Sequence, residues 1–124
     1  MKLERPLVSV VDDDESVRES LPDLLTEFGY SSEVFSSAEE FLNSTSVSKT
    51  SCLILDIAMP GMTGPDLQDE LERRSQRIPI IYITAHKNDN IQERLLNRGA
   101  VACLFKPFSD AALQEALSSA IRLE

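Results

Sequence analysis

The sequence predicts an α/β fold, a doubly wound parallel sheet made of five strand–helix units. Three observations predict it. Short apolar runs recur at Leu7 to Val11, Ser31 to Phe35, Cys52 to Leu55, Ile78 to Thr84 and Val101 to Phe105. Three of them are nearly continuous in β-branched or other apolar residues, as in strands covered on both faces. Helical patterns separate the runs through short connections, which implies right-handed crossovers between parallel strands. A chain of 124 residues has room for one domain and little else.

The first helix follows Asp14 and lays Val17, Leu21, Leu24, Leu25 and Phe28 on one stripe, with Gly29 as its stop. Pro22 falls about two turns in, where it removes a hydrogen bond and crowds the Arg18 carbonyl, so a kink or split is expected there. The second helix opens at Ser36-Ser37, where either serine finds a glutamate (Glu39 or Glu40) three residues on, a capping box. Ser44 to Ser51 reads as a loop. The third helix opens at Thr63-Gly64-Pro65-Asp66, with proline in the first helical position, and continues through Leu67 and Leu71. The fourth starts near Asp89-Asn90, turns Ile91 and Leu95 inward and ends at Gly99. The last is capped by Ser109 and carries Leu113, Ala116, Leu117, Ala120 and Ile121 at i, i+3, i+4, i+7 and i+8.

Composition narrows the function classes. Twelve Lys+Arg against 21 Asp+Glu give a net charge of −9, and no basic patch is available for direct nucleic-acid binding by this chain. No apolar run reaches the ~18 residues of a membrane span. Met1 to Pro6 carries charge but no apolar leader segment behind it. Cys52 and Cys103 sit apart inside apolar runs and read as reduced thiols, which places the protein in the cytoplasm.

In an open α/β sheet, ligands collect beyond the carboxyl ends of the strands. The first predicted strand ends in Asp12, Asp13, Asp14 and Glu15; the third ends in Asp56, the fourth in Thr84, and Lys106 follows the fifth. Asp14 and Glu15 read as a helix cap and a first-turn acid. Each of the others, alone, is an ordinary turn or surface residue; the conjunction on one edge is not. Carboxylates converging there repel one another unless a cation sits among them, and Mg²⁺ suits a site of one or two acids that also takes phosphate oxygens. Asp56, alone at the end of the central strand, is the nucleophile expected to form an acyl phosphate. Asp12 and Asp13 are placed to share the metal. Lys106 would hold one phosphoryl oxygen and Thr84 would donate to another.

These residues resemble a known family. Val10-Val11-Asp12-Asp13-Asp14, Leu53 through Gly64, Ile83-Thr84-Ala85 and Phe105-Lys106-Pro107-Phe108 are similar to the receiver (CheY-like) domain of two-component response regulators. Ile83-Thr84-Ala85-His86 and Gly99-Ala100-Val101 resemble the FixJ type most closely. The resemblance implies a flavodoxin-like strand order of 2-1-3-4-5 and a cis peptide between Lys106 and Pro107. It also implies that Asp56 accepts a phosphoryl group from a sensor histidine kinase, by stoichiometric self-phosphorylation and self-dephosphorylation rather than enzymatic turnover. Mg²⁺ or Mn²⁺ would be held by Asp12, Asp13, Asp56 and the backbone carbonyl of Ala58. Thr84 would be the switch hydroxyl, and the surface of the fourth helix, fifth strand and fifth helix would meet a downstream effector or a second copy.

The chain departs from that pattern at two places. Cys103 stands three residues before the lysine, where the family usually has Tyr or Phe, so the output surface is expected to switch differently or weakly. Tyr82, two residues before Thr84 on the same strand face, reads either as a core residue or as a substitute moving aromatic. Ala58 and His86 occupy positions that flank the approach of hydrolytic water; a methyl group cannot orient water, and His86 either does so or is an exposed loop residue. Rival readings are a small haloacid-dehalogenase-like phosphatase, from Asp12-x-Asp14-x-Ser16, a flavin carrier on the same sheet, and a degenerate receiver used only for docking. The first leaves Asp56 without a role, and the second would set a flavin phosphate against Asp12 to Glu15. The resemblance covers about 6–123, which implies a single receiver domain at 1–124 with its core at 6–123 and no effector domain in this chain; the chain ends just after the last predicted helix, as a free-standing regulator or a domain of a longer one.

Overall fold

The computed structural model describes residues 5–121. The reading of Met1 to Glu4 as lacking a leader, and the last core positions at 122–123, lie outside the described residues. The chain alternates β1 (Leu7–Val11), α1 (Glu15–Glu27), β2 (Ser31–Phe35), α2 (Ala38–Leu42), β3 (Thr50–Asp56), α3 (Gly64–Arg73), β4 (Ile80–Thr84), α4 (Asp89–Asn97), β5 (Ala102–Phe105) and α5 (Asp110–Ala120). The strands form one parallel sheet in the order β2-β1-β3-β4-β5. This is the flavodoxin-like arrangement expected above. Its strand order reverses between β1 and β3, which sets their carboxyl ends side by side.

Period-two alternation sorts the strand residues into two cores. Val11, Leu53, Leu55, Tyr82 and Cys103 face the side covered by α2, α3 and α4, where they meet Phe41, Leu67, Leu71 and Leu95. Val8, Val10, Ile54, Ile81 and Ile83 face α1 and α5, meeting Leu21, Leu25, Leu113 and Leu117. β3 and β4 are buried along their whole length apart from Ser51, which explains their continuous apolar sequence. β2, at the sheet edge, buries only Phe35 fully.

Several expectations need correction. β3 starts at Thr50, before Cys52, and the loop ahead of it contains a 3₁₀ turn at Val47–Lys49. Thr50 belongs to the strand end because its hydroxyl is used internally: it lies 2.7 Å from Ser9 Oγ and donates to the Ser46 carbonyl. β4 starts at Ile80 and β5 at Ala102; Pro79, which has no N–H, serves only as an acceptor, for the Leu53 N–H. α1 is not split at Pro22, although the proline leaves the Arg18 carbonyl without a helical donor. At α2 the capping box is divided: Ser37 Oγ accepts the Glu40 N–H, but the Glu40 carboxylate turns to the Ser36 N–H. In α3 the box is complete between Thr63 and Asp66, and Pro65 takes the second helical position because Gly64 occupies the first. α5 ends at Ala120, with Ile121 as its extended cap.

Candidate functional site

β1 and β3 deliver the acids. Asp12 follows the last residue of β1 and is fully buried; Asp56 is the last residue of β3 and is 5% exposed. Carboxylate oxygens of Asp12, Asp13 and Asp56 lie within 4.8 Å of one another. The first and third strands therefore bring together the three acids singled out in the sequence. Asp14 is drawn off as the N-cap of α1, accepting the Ser16 N–H and hydroxyl, which holds its carboxyl below the usual range. With Asp14 engaged in capping, the D-x-D phosphatase pattern loses its second acid.

Lys106, just beyond β5, reaches the same cluster. Its Nζ lies 2.9 Å from Asp12 Oδ2 and 3.9 Å from Asp56 Oδ2. Asp12 is gripped on its other oxygen by the Asp14 N–H at 2.8 Å. Oδ2 is buried without an aligned hydrogen bond, the ammonium being close but off axis. Asp56 pays for its position. Burial, then the neighbouring Asp12 charge, push its carboxyl from 3.8 up to about 7, against the pull of Lys106. Lys106 is raised by Asp12 and Asp56, against the effect of burial.

The β3–α3 loop, which carries Ala58, returns tightly over the site. Gly64 permits this: a Cβ there would stand 2.4 Å from the Asp56 carbonyl oxygen and 3.1 Å from the Tyr82 ring. Its N–H donates to the Ile57 carbonyl at 3.0 Å. Ala58 is exposed on this loop. The Lys106–Pro107 peptide is cis, as the resemblance implied.

Thr84 ends β4 almost fully buried, and its hydroxyl is occupied within its own loop, accepting the His86 N–H at 3.1 Å and donating to the His86 carbonyl at 3.2 Å. His86 itself is exposed. Cys103 and Phe105 share one face of β5, and Phe105 stands in register with Thr84. With Thr84, Ala58 and Ile91 they line a cavity of about 130 Å³ beside the loop. Tyr82 lies in register with Cys103 but is wholly buried, its hydroxyl donating to Gln68 Oε1 at 2.5 Å. Tyr82 is a core residue. Cys52 and Cys103 are free and buried; burial pushes the Cys52 thiol up to about 12 and raises that of Cys103.

Sequence reasoning missed Arg18, whose Nη1 donates to the Asp12 carbonyl at 2.8 Å. The one available signal was a cation six residues after Asp12 and five after Asp13, on the first turn of a helix that starts at the site.

Three acids at a topological switch point, a lysine against them and a hydroxyl one strand away bring opposite charges together at the carboxyl edge of the sheet, where ligands of this fold collect. The chain belongs to the response regulator receiver domain family, whose model matches residues 8–118. It is 44% identical over 116 residues to nodulation protein W of Bradyrhizobium diazoefficiens (strain USDA 110), covering 94% of this chain and 51% of that protein. Among solved structures it is similar to the response regulator StyR, with a TM-score of 0.87, 42% identity and coverage of 95% of this chain and 60% of that one. It also matches FixJ-N, with a TM-score of 0.82, 34% identity and coverage of 95% and 94%. The chain spans about half the length of the curated relatives it matches. Among the described residues no helix is long and apolar enough to cross a membrane.

Proposed function

We propose that this chain is a cytoplasmic phosphoacceptor in which Asp56 takes a phosphoryl group from the phosphohistidine of a sensor kinase. The observation that carries the reading is the cluster of Asp12, Asp13 and Asp56 with Lys106 against it. The residues fit Mg²⁺ or Mn²⁺: the donors are all hard oxygens, and Asp12 Oδ2 is buried without an aligned hydrogen bond. Asp12, Asp13, Asp56 and the Ala58 carbonyl would hold the ion. When bound, it supplies positive charge for the carboxylates and for the phosphoryl oxygens.

An oxygen of the ionised Asp56 carboxylate attacks phosphorus in line with the phosphohistidine bond. The P–N bond breaks, its electron pair returns to the imidazole nitrogen, and an acyl phosphate forms on Asp56. Lys106, partly exposed and within 3.9 Å of Asp56, meets one phosphoryl oxygen. The Thr84 hydroxyl leaves His86 and donates to another. Its departure reshapes the cavity shared with Cys103 and Phe105, which alters the α4-β5-α5 surface offered to an effector or a second copy. With a thiol at Cys103 the volume is not filled from that residue, so the rearrangement is smaller than an inward-swinging aromatic would produce. Hydrolysis of the acyl phosphate by water resets Asp56.

Incubation with a small acyl-phosphate donor and Mg²⁺ should give a mass gain of one phosphate per chain, absent in Asp56→Asn and in EDTA. Turnover of an aryl phosphate without a stoichiometric adduct would instead favour the phosphatase reading.

A further inference from the structure

We infer that Arg18 is a positioning residue for the acid cluster: by fixing the Asp12–Asp13 peptide it holds the Asp13 carboxylate toward Asp12 and Asp56. The inference rests on the metal-binding reading above.

Asp12 is held at its backbone and at one carboxylate oxygen, while Oδ2 has only the off-axis ammonium of Lys106 beside it. Its N–H donates to the Phe35 carbonyl at 3.1 Å, Oδ1 accepts the Asp14 N–H, and Oδ2 faces Lys106. Its carbonyl accepts Arg18 Nη1 at 2.8 Å. Asp13 is different. It is exposed, and its carboxylate meets the Asp56 carboxyl, another acid, rather than a cation or a backbone N–H that would fix it. The direction of its Cα–Cβ bond then follows from ψ of Asp12 and φ of Asp13, the torsions on either side of the plane whose oxygen Arg18 holds. Without that bond ψ of Asp12 is free to change without a compensating turn at Asp13, which swings the Asp13 Cα–Cβ bond and takes its carboxylate from the cluster into water.

A cation near a metal site also has the opposite effect, since it repels a divalent ion. The two effects differ in range. Arg18 is partly exposed, so its charge is screened by water, whereas the hydrogen bond acts at contact on the ligand's own backbone. Orientation wins. Outer-shell partners of metal ligands typically govern affinity by about 10–100-fold.

The test is a titration of the metal-free protein with Mn²⁺ alone, free ion being read by electron paramagnetic resonance, with thermal unfolding in EDTA as the control for folding. Arg18→Met should weaken Mn²⁺ binding by about tenfold while the EDTA melting curve stays close to that of the parent. Arg18→Lys, which keeps the charge and one donor, should recover most of the loss. In an Asp13→Asn background the Arg18→Met change should cost less than about twofold, because the ligand it orients is gone. Unchanged or tighter binding in a folded Arg18→Met protein, or a full tenfold loss in the Asp13→Asn background, would overturn the inference. A parent protein that binds no Mn²⁺ would instead defeat the metal-binding reading itself.

Discussion

Replacing Asp56 by Asn should stabilise the metal-free protein, and by an amount that depends on pH. The buried carboxyl is raised from 3.8 to about 7. Below its unfolded value it is protonated in both states and contributes nothing. Between the two values the folded state keeps a proton that the unfolded chain releases, so stability falls as pH rises through that window. Above about pH 7 the penalty is complete. A displacement of this size corresponds to about 4 kcal/mol as an upper limit. Part of it is shared with Asp12, whose charge is one of its causes; Asp56→Asn should therefore gain about 2 kcal/mol at about pH 8 in EDTA, shrinking toward zero near pH 4. The chain has no Trp, so urea unfolding followed by circular dichroism is the suitable assay. Saturating Mg²⁺ should erase the variant's advantage by stabilising only the parent. A gain that is equal at both pH values, or no gain at all, would refute the reasoning.

Three further predictions concern the scaffold of the site. Mg²⁺ at about a hundred times its dissociation constant should raise the stability of the parent by about 2.7 kcal/mol, and Asp13→Asn should lose most of that increment in the same urea assay. Gly64→Ala should cost about 2–3 kcal/mol in thermal or urea unfolding, because its Cβ would meet the Asp56 carbonyl at 2.4 Å; a neutral result would mean that the β3–α3 turn yields freely. Cys103→Phe should cost about 1 kcal/mol, the low end of the range for adding bulk to a core, since Cys103 lines a cavity of about 130 Å³. A much larger loss would show the space to be unusable.

Much of the fold could be read from apolar periodicity because each buried position obeys one rule. β1 and β2 have the expected limits, and the stripe of α1 buries Leu21 and Leu25 as its spacing requires. The errors fall where a polar residue is held by something distant. Thr50 looks like loop, but Ser9, forty-one positions away, lies against its hydroxyl inside the strand ladder. Glu40 prefers the Ser36 N–H over the cap residue, a choice between two neighbours that spacing does not distinguish. The acids of the site were legible because the strand ends that carry them are adjacent in any sheet of this order. Which acid Lys106 favours was not: the side chain selects the fully buried Asp12 over Asp56 on distances of 2.9 and 3.9 Å. Arg18 escaped notice for a similar reason, since its partner is a backbone carbonyl and leaves no trace in residue type.

Asp56 is the residue whose carboxylate oxygen is proposed to bond to phosphorus. Treating the phosphorylated protein with borohydride reduces an aspartyl phosphate to homoserine, and peptide sequencing by mass spectrometry then locates it. Homoserine at position 56 alone is the predicted result. Homoserine at Asp12 or Asp13, or a phosphate that survives borohydride on another side chain, would contradict it.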